Sequence, residues 1–193
     1  MYETINTMQV GTAIYGRCSV RAYRPEQVEL PALHALLAAA VRAPTAMHGE
    51  PWQFVVVQDR ARLQRISDLA KAAIAVESSR LHPDHKTLGI FSQPGFNVFY
   101  DASTLVVICA ATTSHFEPAD CWLAAQNLML AAHAMGLGTC VIGSAVAALN
   151  TSDMKSELGI PVEMTAIAPI IVGKPRGETM PSPRKQPQVL AWR

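Results

Sequence analysis

The segment from Asp120 to Gly143 constrains this chain more than any other. From roughly Asp120 to Met135 the pattern predicts a helix that is apolar nearly all round, through Trp122, Leu123, Leu128, Met129, Leu130, Ala131, Ala134 and Met135. A helix without a wet face has to lie in the middle of a domain or at a subunit interface. The run that follows, Gly136-Leu137-Gly138-Thr139-Cys140-Val141-Ile142-Gly143, alternates glycine with small and β-branched residues. It predicts a helix stop, a short strand, and backbone that a flat molecule can approach closely. This helix is expected to be the spine of the fold, with a ligand site at its end.

The remaining segments read as layers around it. A weak helix up to about Tyr15 closes at Gly16, and Arg17 to Arg21 is extended, which places Arg17, Ser19 and Arg21 on one side. Pro25 ends that stretch. A helix starting near Pro31 carries Leu33, Leu36, Leu37, Ala40 and Val41 at core-facing spacing and stops before Pro44. The loop Pro44 to Pro51 leads into Trp52–Val57, expected to be a strand buried on both faces, and an amphipathic helix runs from about Arg60 to Ser78. Residues Ser79 to Asp101 are irregular and include Phe91, Phe96, Phe99 and Tyr100. A long irregular loop in a compact domain is more often functional than accidental. Thr104 to Ala110 is a second buried strand, a short helix ends near Leu158-Gly159, and Met164 to Val172 is a further strand. The last twenty residues are proline-rich and basic, then turn apolar at Val189-Leu190-Ala191-Trp192, which suits docking onto a partner subunit. No repeat or domain boundary interrupts the chain, so residues 1–193 are expected to form one mixed α/β domain, with 181–193 as its tail.

With 193 residues at 50% hydrophobic and 16% charged content, the chain can bury a substantial core. A formal net charge of +1 argues against nucleic acid or an acidic membrane surface as the main partner. Sparse charge and an all-round apolar helix point to a homodimer with a large interface. Cys18, Cys109, Cys121 and Cys140 are scattered without Cys-x-x-Cys spacing, and three of them lie in apolar segments. Free buried thiols of this kind imply a reducing cytoplasm. The first residues lack a basic-then-apolar signal pattern, and no apolar run is long enough to span a bilayer.

Arg17-x-Ser19-x-Arg21 has the donors that a phosphate dianion takes, guanidinium forks and a hydroxyl. Taken alone it reads more readily as a solvated edge strand, and the basic pair Arg184-Lys185 is equally ambiguous, since charged tails are usually just wet. His82 and His85 flank a loop proline with no second ligand pair, so no metal site is expected. His133, in the apolar helix, reads as a hydrogen-bonded core histidine. No Gly-x-Ser-x-Gly turn or Gly-x-Gly-x-x-Gly loop is present, which removes the hydrolase elbow and the Rossmann fingerprint. Glu117 and Asp120 read as caps of the spine helix.

Four segments in order resemble the FMN-dependent nitroreductase family. Arg17-Cys18-Ser19-Val20-Arg21, with Tyr23 and Pro25, is similar to its Arg-x-Ser-x-Arg/Lys opening. Ala43-Pro44-Thr45-Ala46-Met47-His48-Gly49-Glu50-Pro51-Trp52 resembles its Ala-Pro-Ser-x-x-Asn-x-Gln-Pro-Trp loop. Ala125-Gln126-Asn127-Leu128 running into Gly136–Gly143 is the third, and Val172-Gly173-Lys174-Pro175 with Pro183-Arg184-Lys185 the fourth. The resemblance implies an α+β, three-layer α/β/α fold with a central, mainly antiparallel sheet. It also implies a homodimer with two FMN molecules at the interface. Carried over by position, Arg17, Ser19 and Arg21, with Cys18 between them, would hold the phosphate, ribityl chain and pyrimidine edge. Arg184 or Lys185 would close the phosphate cage, and Ile142 and Gly143 would offer backbone groups near flavin N5. Pro44 and Thr45, with Met47, His48 and Glu50 of the same loop, would reach the ring from the partner chain. The flavin would carry the chemistry without a catalytic side chain, taking hydride from NADH or NADPH for an electron-poor acceptor such as a nitroaromatic or quinone. The stretch 79–101 would be the substrate-covering excursion, with its aromatics as cover or as core.

The chain departs from the family pattern at His48 and Glu50, where the family has Asn and Gln. An amide both donates and accepts, whereas an ionised carboxylate only accepts. Glu50 near the pyrimidine would disfavour a reduced anionic flavin, and a protonated His48 would offset that. These two residues motivate a rival reading in which FMN serves a different reaction, flavin-cleaving or dehalogenating. A flavin-binding protein without turnover is the rival of another class.

Overall fold

A computed structural model describes residues 8–78, 95–181 and 183–193, with Gly89, Phe91 and Gln93. At its centre lie four strands, β1 (Gln53–Val57), β2 (Thr104–Ala111), β3 (Gly138–Val141) and β4 (Met164–Gly173). They form one antiparallel sheet in the order β1-β2-β4-β3. The helices among the described residues are α1 (Val10–Gly16), α2 (Leu30–Ala40), α3 (Arg60–Ser78), α4 (Phe116–Ala134), α5 (Val146–Leu149) and α6 (Ser152–Leu158). Along β2, Leu105, Val107 and Cys109 enter one apolar cluster while Val106, Ile108 and Ala110 enter another. This is the two-residue alternation of a strand buried on both faces. Leu63 and Ile66 of α3, with Leu149 and Met154, cover the first face; Leu33 and Leu36 of α2, with Ala125 and Leu128 of α4, cover the second. The result is the α/β/α layering that the resemblance implied.

The spine helix begins four residues earlier than its apolar pattern suggested. Glu117 reaches back to accept from Thr113 Oγ1 at 2.7 Å, Ser114 N at 2.8 Å and Ser114 Oγ at 2.7 Å, which organises the first turn. At the far end Leu137 N–H donates to Ala132 O at 2.8 Å and Gly136 N–H to His133 O at 3.0 Å. Gly136, at φ 74°, supplies the left-handed residue that this Schellman stop requires. One side of α4 is fully buried at Cys121, Ala124, Leu128 and Ala132, while Phe116, Trp122 and Leu123 on the other side are 50%, 43% and 45% exposed.

β1 overturns the expectation of a strand buried on both faces. It is an edge strand; Gln53 and Val56 are exposed and Val57 alone among its residues is buried. An apolar run is compatible with a central or an edge strand, and sheet order decides between them. Two further features shape the sheet near β3. The β2–β4 register shifts between Ile108 and Cys109, which leaves Ile167 as the extra residue of a bulge. Pro169 sits just beyond it, where a strand tolerates the missing N–H. Gly138 of β3 and Gly173 of β4 are paired directly. A Cβ on Gly138 would lie 2.9 Å from the Val20 side chain, and one on Gly173 would lie 2.7 Å from the Tyr23 ring. The bare glycines therefore let the segment from Arg17 to Arg24 lie across the sheet end. Among the described residues, no helix is long and apolar enough to cross a membrane.

Candidate functional site

The segment across the glycine pair shows the predicted alternation. Cys18 and Val20 are buried at 8% and 5% exposure, whereas Arg17 and Ser19 are half-buried and Arg21 is exposed. Val20 N–H donates to Thr139 O at 2.9 Å and Ser19 is bridged to Thr139, which pins the row beside β3. The Arg21 guanidinium lies over the Tyr100 ring, 5.9 Å from its centroid. Cys140 lies beneath the row, and burial pushes its thiol above the usual range despite Arg21, Ser19 and Arg17 nearby. Tyr23 donates its hydroxyl to Val20 O at 2.8 Å, and burial likewise raises it far above an ordinary phenol.

The start of the tail runs antiparallel to this row. Arg24 N–H donates to Lys174 O and Arg176 N–H to Ala22 O, both at 2.9 Å, and the Cys18 thiol donates to Thr179 O at 3.5 Å. The chain beyond Gly173 is thus led back toward Arg17. Arg184 and Lys185 follow as exposed residues of the tail, with no ion pair among the described residues.

His133 is not the hydrogen-bonded core histidine expected. It is half-buried at the last turn of α4, where a Cβ on Gly16 would come within 2.7 Å of its Nε2. Desolvation first, and the Arg17 charge second, hold its pKa below the usual range. The apolar neighbours in sequence concealed that the His133 ring lies against Gly16 of α1.

Ile142 and Gly143 leave β3 at the end away from Gly138. Ile142 N–H donates to Pro169 O at 2.9 Å, and its carbonyl accepts from Ala145 N at 3.0 Å. Its side chain is buried, while Gly143 is exposed, with nothing within 4 Å of where a Cβ would stand. Of the two, Gly143 is the residue a flat ligand can approach.

The loop Pro44 to Pro51 turns through a 3-10 turn at Ala46–His48. Met47, His48 and Glu50 have φ of 52°, 54° and 40°, a left-handed cluster in residues other than glycine. Such conformations cost about 1–3 kcal/mol each and concentrate at ligand clamps. Pro44, Met47, His48 and Glu50 are exposed, and Thr45 Oγ1 accepts from Glu50 N at 3.5 Å. Asp120 holds this loop. It is 6% exposed, and its Oδ2 and Oδ1 lie 3.1 Å and 3.3 Å from Ala46 N. This corrects the reading of Asp120 as a helix cap, for it lies past the first turn of α4. Sequence reasoning missed the role because the partner is 74 positions away. Asp120 and His133 are separated along α4 by about 20 Å at 1.5 Å per residue. The loop and the arginine row therefore stand at opposite ends of one helix.

Among the aromatics, Phe99 is core at 1% exposure. Phe91, Phe96 and Tyr100 form edge-to-face contacts at 5.7 Å and 5.6 Å against that core. Most of the predicted excursion at 79–101 lies outside the described residues. All four cysteines are free and buried, and burial pushes Cys109 up to about 11 and Cys121 up to about 12. Cys109, Cys121 and Cys140 are thus all shifted away from the depressed pKa of a nucleophile. No group of His, Cys, Asp and Glu among the described residues is placed to hold a metal ion.

Residues 14–174 match the model of the nitroreductase family. The chain belongs to that family. The match opens just ahead of Arg17 and closes at Lys174, where the chain turns back along the row. The NADH dehydrogenase of Thermus thermophilus is 28% identical, with both chains covered in full. The 5,6-dimethylbenzimidazole synthase of Rhodospirillum rubrum is also 28% identical, over 91% of this chain and 85% of its own. The crystal structure of a Bacteroides fragilis nitroreductase with bound FMN superposes with a TM-score of 0.80 at 25% identity, over 96% of this chain and 98% of that one.

Proposed function

We propose that this nitroreductase-family chain is an FMN-dependent oxidoreductase. It draws hydride from NADH or NADPH and delivers it to an electron-poor small molecule such as a nitroaromatic or a quinone. The observation that carries the reading is the outward row Arg17, Ser19 and Arg21, laid over a pair of bare glycines with the basic tail led back along it. That donor set fits FMN: forks and a hydroxyl for an anionic, hydroxylated chain, and open backbone for a flat ring. Arg17, with Arg184 or Lys185, would hold the phosphate. Ser19 would bind the ribityl chain and Arg21 the pyrimidine edge, while Gly143 would border the ring. Cys18, buried between them, sets the register of the row. When bound, FMN supplies the two-electron chemistry that none of these side chains offers.

The working unit is a homodimer, with each chain one domain over residues 1–193. The loop carrying Pro44, Thr45, Met47, His48 and Glu50 stands about 20 Å along α4 from the row, too far to close on the same small ring within one chain. A two-fold partner brings its own loop to this row and covers Phe116, Trp122 and Leu123. The apolar end of the tail, with Leu190 and Trp192 101% and 89% exposed, docks on the partner as well. Residues 79–101 cover the substrate. Buried free thiols suit the reducing cytoplasm.

His48 and Glu50, held in left-handed conformations on the completing loop, favour one second reading. In it the same cofactor serves a different reaction, of the flavin-cleaving or dehalogenating kind. A His48→Asn variant that keeps its flavin but loses one substrate selectively would point there. The deciding experiment is an absorbance spectrum of the purified protein before and after NADH or NADPH under nitrogen. Flavin bands that bleach are the expected result. Bands that persist would move the assignment to the second reading or to a binding protein without turnover, and a colourless protein that takes up no FMN would overturn the function.

A further inference from the structure

A cavity of about 420 Å³ opens between the start of α3, the turn from Asn97 to Ser103 and the residues just beyond β4. Its volume is that of a small-molecule pocket. Neither the Arg17 row, nor Gly143, nor the Pro44–Pro51 loop lines it. In its wall, Ser103 Oγ is buried and has no hydrogen-bond partner, the one side-chain atom of this kind among the described residues. Buried hydroxyls are nearly always bonded, so this one gains a partner when the Ser103 side chain turns toward a group that enters the cavity. The amides beside it are already engaged. Gln58 Nε2 donates to Val28 O at 2.8 Å and Thr104 Oγ1 at 3.0 Å, and Asn97 Nδ2 to Gln64 Oε1 at 3.0 Å. The wall is therefore pre-formed rather than free to collapse inward.

Two guanidiniums, Arg60 and Arg176, line the same cavity. The ion pairs among the described residues are Arg65–Glu157 and Lys71–Asp68, so both arginines stand without a carboxylate partner. Asp101 is the single acidic residue of the lining and is exposed. Tyr100 and Asp101 have φ of 53° and 57°, two successive left-handed residues that are not glycine. Strain of this kind persists where the surrounding structure imposes it, commonly at ligand sites.

We propose that this cavity is a second binding site, for a small phosphate monoester. Arg60 and Arg176 grip the phosphate oxygens, Ser103 donates its hydroxyl, and the excess of positive charge over Asp101 selects a dianion. The monoester reaches the cavity either as a free phosphorylated metabolite or as the 2′-phosphate of NADPH. The site stands whether or not the Arg17 row takes FMN.

The test is calorimetric titration of the full chain, loaded with FMN, freed of unbound FMN by gel filtration and held at constant ionic strength, with ribose 5-phosphate, adenosine 2′-monophosphate and inorganic phosphate. At least one monoester binds wild type. Arg60→Ala and Arg176→Ala each weaken that binding tenfold or more, and Ser103→Ala weakens it severalfold. Both arginines are exposed, so these variants keep their fold, which a melting curve verifies. Tighter binding of adenosine 2′-monophosphate, with a KM for NADPH but not NADH that rises in Arg176→Ala, assigns the reductant as the source. Tighter binding of ribose 5-phosphate with both KM values unchanged assigns a free metabolite. No binding by any probe overturns the proposal. So does binding that survives both arginine substitutions, or binding that Arg17→Ala abolishes and Arg176→Ala leaves intact.

Discussion

Arg17 and Asp120 stand at the two ends of α4, and each acts on something remote from its neighbours in sequence. Arg17 presents a guanidinium on the outward side of an extended segment whose buried residues, Cys18 and Val20, hold it in register. Arg17→Ala is expected to weaken FMN binding by about 1.5–3 kcal/mol, roughly ten- to a hundredfold, because it removes a charge-assisted contact. Flavin retained on dialysis measures this, and unchanged content would remove Arg17 from the phosphate contact. Asp120 was legible as an acid near a helix start and illegible as the tether of Ala46, since nothing local links positions 74 residues apart. Asp120→Ala is expected to lower stability by about 1–3 kcal/mol and to speed hydrogen exchange at Ala46, whereas Asp120→Asn keeps an acceptor oxygen and much of the protection. Equal exchange rates in the two variants would show that the carboxylate does not hold the loop.

At the scale of elements, local patterns carried the helices and central strands because their periods of 3.6 and 2 are written into short windows. α3 spans Arg60–Ser78 as its amphipathic pattern predicted, and β2 matches its apolar run. β1 was misjudged in burial because its place at the sheet edge depends on partners elsewhere. The pairing of Gly138 with Gly173 is equally invisible in sequence, since the two lie in separate segments and nothing local links them. Gly138→Ala is expected to cost about 1–3 kcal/mol in denaturant unfolding, since the new methyl would meet a buried Val20. Stability equal to wild type would mean that the Arg17–Arg24 segment yields without penalty. The start of α4 makes a pH prediction. Hydrogen bonds from Ser114 and Thr113 hold the Glu117 carboxyl at about 2, against its ordinary 4.5. Between those values the unfolded chain binds a proton that the folded chain refuses. The contribution of Glu117 is therefore complete above pH 4.5 and is lost as pH falls toward 2. Melting temperatures from pH 6 down to 2 should fall less steeply in Glu117→Gln than in wild type; parallel curves would contradict the assignment.

For the whole molecule, the outward face of α4 is the decisive feature. Phe116, Trp122 and Leu123 are large apolar side chains left about half exposed on one side of a single helix, a surface suited to burial against another chain. Leu123→Glu is expected to shift the sedimentation mass from two chains to one and to reduce bound flavin in step. A mass unchanged at two chains would place the interface elsewhere. A single chain throughout, including wild type, would leave the Pro44–Pro51 loop without a site to complete.

The amino-acid sequence by itself determined the order of helices and strands, the outward row at Arg17, Ser19 and Arg21, and the helix stop at Gly136. Each of these follows from steric preferences and from spacings that act within a few residues. Only the tertiary structure decided that β1 is an edge and that Asp120 holds a loop. It also decided that two glycines face each other beneath Val20 and Tyr23, and that Arg60, Ser103 and Arg176 line one cavity. Those facts depend on which surfaces meet once the chain has collapsed. Burial energy and close packing select that meeting for the whole molecule at once, and no short window of sequence records it.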